Sequence, residues 1–108
     1  MRAGELRHRI TIQKPVEVKD EYKTIIDVGW QDFATVWAAV EPVRGSEYIQ
    51  LQNSKSELTV RVRIRYLAGV NDSMRILYGG RILYINSPPI DVDGRHREME
   101  LMCVEDDG

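Results

Sequence analysis

Three arginines stand at alternate positions in LTVRVRIRY, residues 58–66: Arg61, Arg63 and Arg65. In an extended chain, side chains at i and i+2 share one face, about 6.6 Å apart. Guanidinium groups at that spacing can contact successive phosphates or an acidic partner. They can equally pair with carboxylates across a neighbouring strand. Glu98 and Glu100 alternate in the same way in EMELMCVE, residues 98–105, and would complete such a ladder without any ligand. Exposed ion pairs add little stability individually. The stripe is therefore better explained by solubility, strand register or a partner than by stability.

The other residue types capable of chemistry are few. The chain holds two histidines and one cysteine. His8 and His96 are far apart in sequence and each is flanked by arginines. A metal site needs more ligands than these; His8 reads as a partly buried strand residue and His96 as an exposed loop residue. DVDG, residues 91–94, resembles the start of a calcium loop, but Arg95, His96 and Arg97 put positive charge where further oxygen ligands belong. Cys103 alternates with Met99 and Leu101, which makes it a buried, inert thiol rather than a nucleophile. No nucleophile elbow and no phosphate-binding glycine loop is present in the sequence. The acidic pair Asp106-Asp107 lies in the C-terminal tail, where chemistry cannot be preorganised. These observations point away from an enzyme and call for no metal or cofactor.

The chain that must position these residues has 108 of them, a net charge of −2, 43% hydrophobic and 30% charged side chains. That suits one globular domain over residues 1–108 with one core. The charge gives no global attraction to nucleic acid, so such a role would need a local basic patch. A lone cysteine cannot form an internal disulfide. The N-terminal MRAGELRHRI lacks the apolar segment of a signal peptide, and both features suit a cytoplasmic protein.

The elements are mostly strands. Residues 58–66 alternate Leu58, Val60, Val62, Ile64 and Tyr66 against the arginines. LRHRITIQK, residues 6–14, does the same. FATVWAAVEPV, residues 33–43, is apolar on both faces, as in a covered central strand, with Trp37 expected in the core and Pro42 ending the ladder. MRILYGGRILYIN, residues 74–86, is two strands about a Gly79-Gly80 turn. Residues 98–105 form the last strand. Between residues 45 and 57, Ser46 as N-cap and Tyr48, Leu51 and Gln52 at helical spacing predict a short helix. Residues 15–32 make a long loop, able to fold back as a hairpin arm through a turn at Asp20–Lys23. The expected architecture is mainly β: a small barrel of about six strands, one inserted helix and the long loop or arm. Tyr22, Trp30 and Tyr48 either anchor an interface or pack their own segments onto the barrel.

Taken in order, these segments resemble the head-closure proteins of tailed bacteriophages and prophages, also called head–tail joining or head-completion proteins. The matching pieces are GELRHRITIQK (4–14), DEY (20–22), VWAAVEPVRGSE (36–47), RIRYLAGV (63–70) and MRILYGGRILYIN (74–86). The resemblance runs over nearly the whole chain in one order. The family often has glycine just after the Asp-Glu-Tyr turn, where this chain has Lys23-Thr24. The resemblance implies a β-barrel with an inserted helix, made in the bacterial host cytoplasm and added beneath the portal after DNA packaging. It implies self-association as a ring, usually twelvefold, with portal or adaptor connector proteins and a tail-completion protein as partners, and passive contact with packaged DNA. It implies that the ring retains DNA and docks the tail. Arg44 and Glu47 become interface candidates, and the Arg61, Arg63 and Arg65 stripe could meet an acidic face such as Glu98 and Glu100 on a neighbour. The competing reading is a small β-barrel nucleic-acid-binding module, although aromatic platforms are scarce on the arginine face.

Overall fold

The computed structural model describes residues 6–43 and 58–105. They form seven antiparallel strands: β1 (His8–Lys19), β2 (Ile25–Pro42), β3 (Leu58–Arg65), β4 (Arg75–Tyr78), β5 (Arg81–Ile85), β6 (Ile90–Asp91) and β7 (Glu98–Glu105). The hydrogen-bonded order is β3-β2-β1-β4-β5-β7, and β7 returns to pair with β3. Six strands thus close into a ring. The two-residue β6 pairs with Met99 and Glu100 of β7, on the edge that also takes β5 at residues 103–105. Closure hides the sheet edges within the paired part of the ring, where they would otherwise invite pairing between molecules.

Alternation decides which side chains fill the ring. Ile10 and Ile12 of β1, Val60, Val62 and Ile64 of β3, Ile76 of β4, Leu83 and Ile85 of β5, and Met99, Leu101 and Cys103 of β7 form one buried cluster. Fully burying such side chains stabilises the fold by about 1.5–3 kcal/mol each before entropy is charged against it. The Gly79-Gly80 hairpin forms as the sequence predicts, with Gly79 in the left-handed region at φ 59°. Arg81, just after it, makes two bonds of 2.9 and 2.6 Å to the Glu105 carboxylate and clasps β5 to the end of β7.

β2 does not keep one phase. Ile12 lies opposite Ala34, but Gln13 lies opposite Asp32, so Phe33 is the extra residue of a bulge. Phe33 packs against the core from there. Past the bulge, Val36, Ala38 and Val40 share the inward phase of Ile10, Ile64 and Val62, while Thr35 and Trp37 point out. Trp37 is accordingly half exposed, not in the core as its apolar surroundings in the sequence suggested. Its ring lies under the Arg9 guanidinium, 5.2 Å from the centroid. A strand apolar on both faces carries no signal of which parity faces inward, and the bulge resets it.

Phe33 also explains Gly69. Gly69 has φ 95°, and a Cβ placed there would stand 2.9 Å from Phe33 Cζ. Replacing Gly69 with Ala should lower unfolding free energy by about 1–3 kcal/mol through strain and displacement of the ring. Urea unfolding of the variant measures this; an unchanged midpoint would mean that Phe33 yields freely.

The helix expected between residues 45 and 57 lies outside the described residues, as do Arg44, Glu47 and Tyr48.

Candidate functional site

The long segment after the first core residues is a hairpin arm. Among the described residues, β4 pairs with β1 only at Thr11–Gln13, and β3 pairs with β2 only at Ala38–Pro42. Among the described residues, 14–19 and 25–31 pair only with each other, so no described strand covers either edge of the ribbon. Its turn is built by Asp20, whose carboxylate accepts the backbone N–H of Tyr22 and of Thr24, both at 2.9 Å. Lys23 adopts φ 65°, a conformation that glycine takes without penalty. A Lys-Thr sequence therefore still makes the turn, with Asp20 supplying the bonds that hold it.

An isolated two-stranded ribbon is marginal in water, and this one is pinned at its base. Gln13 Nε2 donates to Asp32 Oδ1 at 2.8 Å, and Gln13 Oε1 accepts from Arg75 Nε at 2.8 Å. The Arg75 guanidinium in turn lies 4.3 Å from the centroid of the Trp30 ring, whose edge meets Tyr84 at 6.4 Å. Trp30 thus seats the arm on β4 and β5. Beyond it the arm carries exposed apolar side chains among its charged ones: Val18, Ile25, Ile26 and Val28 are exposed, and Tyr22 at the tip is 80% exposed. Single exposed apolar residues are ordinary, but a cluster on a projecting ribbon marks a surface that another molecule covers.

The arginine stripe is engaged within the chain. Register places Arg63 opposite Glu100 and Arg65 opposite Glu98, as the alternation on the two strands anticipated. The shortest contacts run diagonally: Arg63 Nη2 donates to Glu41 Oε1 at 2.8 Å, and Arg61 Nε lies 3.7 Å from Glu100 Oε1. Glu41 went unnoticed in the sequence. It lies two residues beyond Ala39 on the outward parity of β2, a signal available only once β2 and β3 are known to be neighbours. Arg63 Nε is buried and has no hydrogen-bond partner among the described residues. With carboxylates against Arg61 and Arg63, the strand offers no simple run of free cations to a phosphate backbone.

The remaining candidates are structural. Cys103 is fully buried, and burial pushes its thiol from the ordinary 9.0 up to about 12. A group whose acid form is favoured in the fold contributes stability that is whole below 9 and is lost as pH rises toward 12, because the unfolded chain releases its proton first. The loss is at most about 1.4 kcal/mol per pH unit across that window. Stability measured from pH 8 to 11 should fall more steeply for wild type than for Cys103→Ala, and a thiol reagent should label the native chain only after unfolding. Equal alkaline slopes, or rapid native labelling, would place the thiol at the surface. His8 is half-buried and bonds the Tyr78 hydroxyl through Nδ1 at 3.2 Å. His96 is exposed; its ring stacks on Tyr66 at 4.3 Å, and its Nδ1 meets the Asp91 carboxylate. Asp91 also accepts the His96 backbone N–H at 3.0 Å, so its carboxylate closes a turn. Among the described residues no three His, Cys, Asp or Glu side chains gather around a common metal position.

A closed ring of strands that projects an arm with exposed apolar side chains suits a structural subunit covered by other proteins. Residues 1–106 match the phage head completion protein family, and the chain belongs to it. It is a structural component of a phage head rather than an enzyme. The head completion protein gp16 of Bacillus phage SPP1 is 26% identical over 77 residues, 71% of each chain. The solution structure of protein SF1141 from Shigella flexneri 2a superposes with a TM-score of 0.80 at 34% identity, covering 99% of this chain and 98% of that one. A chain in the virion of a native gene transfer agent particle shares the fold, with a TM-score of 0.67, 21% identity and coverage of 95% and 97%.

Proposed function

We propose that this protein joins the head–tail connector, closes the DNA-filled head after packaging and presents the surface on which the tail docks. The observation that carries this reading is the arm: an apolar ribbon projecting from a closed ring of strands is suited to bridging between subunits of an assembly. Copies of the chain stand side by side as a ring, twelve in the complete connector, between the portal or adaptor proteins and the tail-completion protein. Tyr22 at the arm tip and Arg65 at the end of the stripe are its exposed interface side chains; Trp30 acts indirectly by seating the arm, and Arg61, Arg63, Glu98 and Glu100 set the charge pattern that a neighbour meets. Arg44, Glu47 and Tyr48 belong to the same proposal but lie outside the described residues. Contact with packaged DNA is passive, since the outer face mixes both signs of charge. In this role, heads packaged without the protein lose DNA to nuclease, and adding the purified chain restores protection. Nuclease resistance independent of the chain would remove the closing role.

A further inference from the structure

We propose that the arm of one copy lies along a groove at the open edge of β2 in the next copy. This deepens the ring reading above and rests on it. The groove arises because β3 ends early. After Arg65 the chain turns toward β7: the Tyr66 N–H donates to the Arg97 carbonyl at 3.0 Å, and the Leu67 N–H points at Met99 Sδ at 3.3 Å. Among the described residues β2 therefore has no neighbour on that side N-terminal to Ala38. The gap is a groove of about 320 Å³ lined by Leu6, Thr35, Val36, Trp37, Tyr66 and Leu67, with Arg65 at its rim.

Three features select a second copy of this chain as the occupant. The groove is apolar and aromatic, flanked by a strand edge that no described strand pairs with on that side; an incoming extended segment suits both. The arm is an extended segment with open edges and exposed Ile25, Ile26 and Val28. The charges are complementary as well. Residues 16–28 hold Glu17, Asp20, Glu21 and Asp27 against Lys19 and Lys23, four acids and two bases, net −2. Among the described residues Arg65 is the charged residue lining the groove, Arg9 lies over Trp37, and Glu98 stands opposite Arg65 on the β7 side. The arm cannot reach the groove of its own chain. β2 runs as one strand from Ile25 to Pro42, and the ten residues from Ile26 to Val36 hold the arm roughly 33 Å away. Arm and groove are different surfaces, so the contact is head-to-tail, and repeating it generates a ring instead of a twofold dimer.

The test uses thiol cross-linking inside assembled particles, where Cys103 is buried. Particles carrying the Val28→Cys/Thr35→Cys double variant are treated with a short bifunctional maleimide and compared with particles carrying either single variant. Arm-to-groove contact predicts a ladder of multimers extending past the dimer for the double variant, and none for the singles. A double variant that is present in particles at wild-type level but stays monomeric on the gel, or stops at dimers, overturns the arm-to-groove contact and leaves the connector reading standing. A wild-type protein missing from purified particles overturns the connector reading itself, and this proposal with it.

Discussion

A chain whose residues 16–29 are replaced by Asn-Gly, so that a two-residue turn links Pro15 to Trp30, is expected to fold as well as wild type and to support no infectious particles. Pro15 and Trp30 are cross-strand partners, so a two-residue turn can connect them. None of the fully buried residues lies in the deleted stretch; the core passes from Ile12 to Ala38. The clamp of Gln13, Arg75, Trp30 and Tyr84 remains. Shortening the connection slightly reduces its closure entropy, so thermal unfolding should stay within about 1 kcal/mol of wild type. What disappears is Tyr22, Ile25, Ile26 and Val28. An interface that loses such anchors weakens by about 3 kcal/mol, roughly a hundredfold in affinity at each contact, and a ring repeats that loss at every subunit. Unfolding curves paired with plaque titres measure both halves. A shortened chain that melts normally and still complements fully would make the arm dispensable.

The second large effect is expected at Arg63. Arg63→Glu places a third carboxylate beside Glu41 and opposite Glu100, while removing the donor that now holds Glu41 at 2.8 Å. Arg63 is only partly exposed, so screening is incomplete, and the cost should be about 2 kcal/mol at low salt. Adding salt should recover part of it. Exchanging the pair, Arg63→Glu with Glu41→Arg, should recover more, because the diagonal contact between β2 and β3 is re-formed with its signs reversed. The mutant cycle separates that contact from the general charge of the face. If Arg63→Glu melts and assembles like wild type, the stripe is ornamental.

How far the sequence foretold this molecule differs from element to element. β3 and β7 were legible because each has one buried and one solvated face: alternation in LTVRVRIR and EMELMCVE names the strand, its inward parity and, through opposite charges, its neighbour. The Gly79-Gly80 hairpin was legible because only particular residues make so tight a turn. β2 was legible as a strand but not in phase. Its apolar run hid the Phe33 bulge, and Trp37 emerged on the outer face beside Arg9. The arm could be read as a hairpin from its Asp20 turn, yet the clamp at its base joins residues about sixty positions apart, Gln13 with Arg75. Glu41 was hidden for the same reason: its partner lies across a strand pairing, and long-range pairing follows from the closed topology, not from any local pattern. The groove beside Trp37 follows from where β3 stops and the chain turns away, a choice made by Tyr66 and Leu67 bonding to the β7 side.

Electron microscopy of particles made in a host where this gene alone is deleted from the phage genome shows whether heads close and tails dock without this chain. Closure and tail docking by this chain predict DNA-filled or leaking heads lying beside free, complete tails. Normal tailed particles would contradict both and would return the arginine strand to the nucleic-acid reading.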